Sequence, residues 1–251
     1  MLPGTVLRVL VSWLGRALIP LRWLRDRTRR SLRRLRCPGM QRTAEWTAWY
    51  QNLYRSVGER ALQSGQPGER LPKLELHDME GNEQPLSRCW DKHPALLVTM
   101  SLSCGQTRRY ARDLRRLSRR FEWDINTVVI YVVEAHPIDA PSPYTDGIGL
   151  TSKNEIAGLH SAQPRNLEER IERARQLRRR FGLSTPMLID PLDDRAWRAF
   201  GGAPNVAILV RSDGRIAAKQ GWFEPKEMTR AITALLQNSP VTADYRISHH
   251  A

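Results

Sequence analysis

Apolar positions along the chain alternate between a period of three to four and a period of two. From Thr43 to Gln63, Trp46, Trp49, Tyr50, Leu53, Tyr54, Val57 and Leu62 recur at helical spacing, which predicts an amphipathic helix. Leu71 to Asp78 alternates and predicts a short strand, and Glu80-Gly81-Asn82 predicts a turn. Ala95 to Met100 is a continuous apolar run, the pattern of a strand buried on both faces. Cys104 to Phe121 returns to helical spacing, with Tyr110, Leu114, Leu117 and Phe121 on the apolar side. Asn126 to Val133 is rich in β-branched residues and too short for a buried helix, so it predicts a second central strand.

Pro137 to Ser161 has little periodicity and holds Pro, Ser, Gly and Asp. A loop of that length in a compact domain is usually functional or mobile. Beyond it the pattern predicts a charged helix over Asn166 to Phe181, a strand over Met187 to Asp190 and a short helix over Asp193 to Phe200. Val206 to Arg211 and Ile216 to Lys219 flank Ser212-Asp213-Gly214, a hairpin turn. Pro225 to Leu236 predicts a last helix, with proline at a favourable starting position.

Strands alternating with helices, followed by an antiparallel pair, imply an α/β fold: a central mixed β-sheet flanked by helices, with an N-terminal helical extension. The expected organisation is a basic amphipathic arm over 1–40, a helical lead-in over 41–68, the main domain over 69–237 and a flexible tail over 238–251.

Charge changes the picture at the N-terminus. The chain of 251 residues carries a net charge of +14. Residues 1–36 hold ten arginines against the single Asp26, so +9 of that charge lies in the arm. Val6 to Leu24 is apolar but interrupted by Arg8 and Arg16, and a spanning helix wants about 20 apolar residues. An interfacial anchor on an anionic membrane surface is the expectation for residues 1–36. A short spanning segment and a basic tail are the alternatives. If the segment spans, the arginines after it keep the catalytic domain cytoplasmic. Nucleic acid is not an expected partner.

Three cysteines cannot form a disulfide framework, and no metal-ligand spacing is present. Cys104 stands where the Ala95–Met100 strand enters the following helix. Free N–H groups at a helix start favour an anion, so the expectation is a lowered thiol pKa, with Arg108 and Arg109 as electrostatic partners. The alternative for Cys104 is a small buried hydrophobe. His136, at the end of the second strand, is the expected proton carrier. Glu134 is expected to orient His136 or pair with an arginine. Ser101 is expected to hydrogen-bond the sulfur or cap the strand end. Cys89 is a half-buried structural thiol or a resolving cysteine for Cys104. Thr107 occupies the position that would complete a Cys-x-x-Cys, so a dithiol cycle at that helix start is excluded.

With a cysteine opening the first helix of the domain, this order resembles the thioredoxin-like superfamily. Gly202-Ala203-Pro204 falls where that superfamily keeps a cis-proline, which makes Pro204 a candidate for one. Within the superfamily, Glu134-Ala135-His136 after Val-Ile-Tyr-Val-Val, with Asp139 beyond, resembles the iodothyronine deiodinase family. Asn166-Leu-Glu-Glu-Arg170, Asp190 and the strand after Pro204 agree with it, over residues 70–237. In that family the position of Cys104 is usually selenocysteine, preceded by serine at the position of Ser101. The chain departs from the family at Gly105-Gln106 and Ala140-Pro141, and Pro164 takes the place of a second histidine.

The resemblance implies a thiol-dependent oxidoreductase in which the Cys104 thiolate attacks an electrophilic atom and His136 moves the proton. Reductive dehalogenation or related redox chemistry is the expected reaction. The substrate is a small molecule or a peroxide, and an external thiol restores the enzyme with no cofactor. The family also has an N-terminal membrane anchor, in agreement with the arm. A peroxiredoxin-like thiol peroxidase is the first alternative, although Leu97 and Ser101 replace the Pro and Thr of its motif. A membrane-tethered binding module without turnover is the second. A homodimer is compatible with all three.

Overall fold

The computed structural model describes residues 44–143 and 151–238. The expected membrane arm of residues 1–40 and the tail from 239 onwards lie outside the described residues. The chain divides into two units, 1–51 and 52–251. Of the first, only the start of helix α1 (Ala44–Gln63) is described. No helix among the described residues is long and apolar enough to cross a membrane.

Seven strands form one mixed sheet: β1 (Glu75–His77), β2 (Glu83–Pro85), β3 (Ala95–Met100), β4 (Asn126–Tyr131), β5 (Met187–Ile189), β6 (Ala207–Val210) and β7 (Ile216–Gln220). Their order is β2-β1-β5-β4-β3-β6-β7. β3, β4 and β5 run parallel, and β6, β7, β1 and β2 join by antiparallel pairing. The helices after α1 are α2 (Gly105–Arg120), α3 (Ser152–Ile156), α4 (Leu167–Phe181), α5 (Arg195–Ala199) and α6 (Pro225–Asn238). This is the expected α/β architecture, a central mixed sheet flanked by helices. The hairpin strand β2, the 3-10 turn Leu86–Cys89 and helix α3 are additions to the expected elements.

Side chains of a strand alternate between faces, so each central strand feeds two cores. Leu96, Val98 and Met100 of β3, with Val129 and Tyr131 of β4, pack under α2, α4 and α6 against Leu114, Leu177 and Ile232. Leu97 of β3, with Val128 and Ile130 of β4, packs on the other face with Val57 and Ala61 of α1 and Phe200 after α5. Every residue of β3 is buried. Burying one such aliphatic side chain contributes roughly 1.5–3 kcal/mol, so the strand that leads to Cys104 is anchored from both sides.

The helices carry their own start and stop signals. Thr107, Ala111, Leu114 and Leu117 bury one face of α2, while Arg112, Arg116, Arg119 and Arg120 lie on the exposed face. Asn166 caps α4 by accepting the Glu169 N–H at 2.8 Å, and Gly182 ends it at φ 60°, the left-handed conformation that favours glycine.

The connection before β6 differs from expectation at Pro204. Among the described residues no peptide bond is cis, so Ala203–Pro204 is trans, the form X–Pro bonds favour. Thr99 spans this turn: its Oγ1 donates to the Ala203 carbonyl at 3.3 Å and accepts the Val206 N–H at 2.8 Å. Asn205 adds a bond from Nδ2 to the Thr99 carbonyl at 3.2 Å. The Pro204 turn is thereby fastened beside the C-terminal half of β3.

Candidate active site

Two strand ends meet at the C-terminal edge of the parallel strands, where open α/β sheets bind ligands. Ser101 to Cys104 leads from β3 into α2, and Val132 to His136 follows β4. Cys104 is the N-cap residue of α2, with extended backbone. Its N–H donates to the Ser101 carbonyl at 3.3 Å, and its carbonyl accepts the Arg108 N–H at 3.2 Å. The helix start predicted from sequence is therefore present, with the sulfur at it.

The expected low pKa is not. Cys104 is 2% exposed. Burial pushes its thiol up, because a thiolate loses solvation there. The N–H groups of Thr107 and Gln106 and the Thr107 hydroxyl favour the thiolate, and Glu134 disfavours it. The resting residue is a protonated thiol whose helix-start donors are overcome by desolvation.

Glu134 is fully buried, and its carboxylate faces the Cys104 loop rather than His136 or an arginine. Oε2 accepts the Ser103 N–H at 2.8 Å and the Ser103 hydroxyl. Oε1 accepts the Tyr131 hydroxyl and, at 3.4 Å, the Leu102 N–H. Burial raises the pKa of Glu134, against the pull of the Ser103 and Tyr131 donors. The Tyr131 phenol is also pushed up, by burial first and then by Glu134.

His136 is half-buried, and its N–H donates to Ser103 Oγ at 2.9 Å. Ser103 thus joins the carboxylate to the histidine backbone. Ser101, expected at the sulfur or as a strand-end cap, accepts the Ala135 N–H on Oγ at 3.2 Å and so fastens the two strand ends together.

Three further residues complete the surroundings. Gln163 closes the end of β4, accepting the Glu134 N–H at 2.8 Å and donating to the Glu134 carbonyl at 3.3 Å. Asp139 accepts the Gln163 N–H at 2.8 Å and lies 3.9 Å from the Arg165 guanidinium, so it braces the excursion. Asn154 of α3 donates to the Ser103 carbonyl at 2.7 Å and accepts from Arg108 Nη1 at 2.7 Å. Arg108 is therefore engaged with an amide, and exposed Arg109 lies over the Tyr110 ring, 5.0 Å from its centre.

Cys89 is placed away from Cys104. Its carbonyl accepts from the Asn126 side chain at 2.9 Å, at the start of β4. Cys104 follows the opposite end of β3, a span of roughly 20 Å at about 3.3 Å per residue. A disulfide needs Cα atoms within about 7 Å, so Cys89 is not positioned to resolve Cys104. Both thiols are free.

Ser103, Tyr131, Asn154, Gln163 and Thr107 were not legible as site residues. The Ser-x-Ser-Cys spacing around Cys104 carried a signal for Ser103, but Asn154 and Gln163 lie in the aperiodic excursion, where nothing marks a buried amide. Among the described residues no cluster of three or more His, Cys, Asp or Glu side chains could hold a metal. A cavity of about 380 Å³, lined by Arg60, Gln63, Trp197 and Arg198 among others, includes none of Cys104, Glu134 and His136.

The family model described as iodothyronine deiodinase matches residues 21–231. Comparison with curated proteins returns no match. Among solved structures the chain is similar to a secreted Mycobacterium tuberculosis disulfide oxidoreductase at 12% identity, over 70% of this chain and 98% of that one, with a TM-score of 0.43. It is similar to the thioredoxin domain of a thiol-disulfide oxidoreductase from Bacteroides vulgatus at 12% identity, over 68% and 98%, with a TM-score of 0.48. An uncharacterized conserved protein from Geobacillus kaustophilus matches at 14% identity, over 70% and 85%, with a TM-score of 0.49.

Proposed function

The chain belongs to the iodothyronine deiodinase family and is an oxidoreductase; we propose that Cys104 Sγ is its redox atom and reductive dehalogenation its reaction. The observation that carries this reading is the placement of Cys104 at the start of α2, on a loop held through Ser103 by the buried Glu134 carboxylate. A sulfur at a helix start, on a loop fixed by buried hydrogen bonds, suits nucleophilic attack by a thiolate.

In the proposed cycle the Cys104 thiol passes its proton to His136, and the thiolate attacks the halogen of a carbon–halogen bond. The S–halogen bond forms as the carbon–halogen bond breaks, and the carbon leaves with the electron pair. That carbon takes a proton, with His136 as the donor. An external thiol then attacks the sulfenyl halide, releasing halide and leaving a mixed disulfide, and a second thiol restores Cys104. No cofactor enters the cycle. Glu134 accepts from Ser103 and Tyr131, and Ser103 in turn accepts the His136 N–H, so the carboxylate positions the loop and the His136 backbone.

The membrane arm of residues 1–36 belongs to the same proposal: it places the domain on an anionic lipid surface, with the catalytic part on the cytoplasmic side. A second reading, a binding module without turnover, draws support from the buried, high-pKa resting thiol.

The test is halide release from iodinated phenols with excess dithiothreitol, comparing the wild-type chain with Cys104→Ser. One halide released for each dithiothreitol oxidised, with loss of release in the variant, supports the proposal. Release undiminished in Cys104→Ser overturns it. Peroxide consumption without halide release would favour the thiol peroxidase.

A further inference from the structure

Any reaction at Cys104 must reach a sulfur that is 2% exposed. Something beside it has to open, and the contacts around the loop indicate where. Among residues 153–156, Lys153, Glu155 and Ile156 are exposed, and Asn154 alone is buried, at 0%. Its amide is used at both ends. Nδ2 donates to the Ser103 carbonyl at 2.7 Å, and Oδ1 accepts from Arg108 Nη1 at 2.7 Å. Ser103 precedes Cys104 directly, and Arg108 is one turn of α2 beyond it. One side chain thus brackets the cysteine from both sides.

Among the described residues, α3 and the turn after it are held by a small set of contacts. Leu159 is buried in the core under α2 and α4, and the Arg180 guanidinium donates to the Ala157 carbonyl at 2.6 Å. The backbone of α3 is closed locally by Thr151, whose Oγ1 accepts the Asn154 N–H at 3.2 Å. A short exposed helix with little apolar burial belongs to the low-stability end of a structure, where local opening is most frequent. Two hydrogen bonds through a single amide are the kind of attachment such opening breaks first.

We propose that Asn154 is a positioning residue that latches α3 over the Cys104 loop, and that reagents reach the sulfur only when it releases Ser103 and Arg108. The proposal rests on the reading of Cys104 as the reacting atom but concerns access to it rather than its chemistry. In the latched state the thiol is buried and inert. In the released state the loop carbonyl and the guanidinium are freed together, and the sulfur meets substrate and then reductant.

The test is the rate of Cys104 alkylation by iodoacetamide at fixed pH, followed in the full chain by peptide mass spectrometry. Asn154→Ala is expected to alkylate at least tenfold faster than wild type, at a temperature where denaturant titration shows both chains folded. Arg108→Ala breaks one of the two contacts and is expected to give a smaller rise. Ile156→Ala, at an exposed position of the same helix, is expected to match wild type. An Asn154→Ala rate within twofold of wild type overturns the latch.

Should Asn154→Ala fail to fold, hydrogen exchange on the wild-type chain decides the matter. Segments 102–105 and 151–158 are expected to open with the same free energy, and independent opening overturns the proposal. These readouts are separate from turnover. Halide release persisting in Cys104→Ser would remove the redox role of the cysteine while leaving the alkylation comparison to judge the latch.

Discussion

Ser103 directs both its N–H, at 2.8 Å, and its hydroxyl to the same carboxylate oxygen of Glu134. Because Cys104 is the next residue, the end of β4 sets the position of the sulfur that follows β3. The same serine accepts the His136 N–H, so loop, carboxylate and histidine backbone are joined through one residue.

Removing the carboxylate should therefore disturb more than charge. Glu134→Ala leaves the Ser103 N–H and hydroxyl and the Tyr131 hydroxyl without their buried acceptor, while the Leu102 N–H keeps the Tyr131 oxygen at 3.3 Å. Each buried donor left unpaired costs about 1–3 kcal/mol. A fall of several kcal/mol in unfolding free energy is expected by denaturant titration. Glu134→Gln, which keeps an acceptor oxygen, is expected to lose less. Equal losses in the two variants would contradict the assigned hydrogen bonds.

His136→Ala tests the proton step. Turnover is expected to fall about 10²- to 10⁴-fold, the usual contribution of a positioned acid or base. A variant with wild-type turnover at every pH would remove His136 from the mechanism.

Cys89 is expected to stay out of the redox cycle. Burial, with Asp91 nearby, pushes its thiol up to about 12. Oxidised protein mapped without reduction should contain no Cys89–Cys104 peptide, and Cys89→Ser should turn over like wild type. A Cys89–Cys104 disulfide formed during turnover would contradict the separation imposed by β3.

Asp190 provides a pH signature independent of catalysis. Its carboxylate accepts the Ala196 N–H at 2.8 Å and the Trp197 N–H at 2.9 Å. Burial nevertheless pushes its pKa from 3.8 up to about 6. Below 3.8 the group is protonated in both states. Between 3.8 and about 6 the unfolded chain loses the proton first, so stability should fall as pH rises through that window and then level off. At 1.36 kcal/mol per pH unit the full change is roughly 3 kcal/mol. Asp190→Asn should flatten the profile in that range, as read from denaturant midpoints.

Gly221 sits where α1 approaches the end of β7. A Cβ there would clash with the Gly58 carbonyl oxygen and lie 2.7 Å from its carbon, both backbone atoms that cannot swing away. Gly221→Ala is expected to destabilise the chain by about 1–3 kcal/mol, the usual cost of overpacking. A melting temperature equal to wild type would contradict the close approach.

The sheet was largely legible because its central strands are buried on both faces and its hairpin carries a turn signal. Ala95–Met100 was read to the residue, and Asn166 and Gly182 bound α4 as capping residues do. β2 was missed because Glu83-Gln84-Pro85 is short and polar, and it forms by pairing with β1 rather than by propensity. At the site, the position of Cys104 followed from the pattern, but its ionisation did not. The helix start is local and readable, whereas the burial that outweighs it depends on chain segments far apart in sequence. Asn154 lies 50 residues beyond Cys104 in an aperiodic stretch, and only the folded chain brings it to Ser103 and Arg108.

The most direct test of the central claim follows the sulfur itself. The reduced wild-type chain is mixed with an iodinated phenol and no reductant, treated with dimedone, and digested for mass spectrometry. A sulfenyl halide at Cys104 hydrolyses to sulfenic acid, which dimedone captures. The account predicts dimedone adducts on Cys104 in proportion to the iodide released, and none on Cys89. Iodide released while Cys104 remains a free thiol would contradict it.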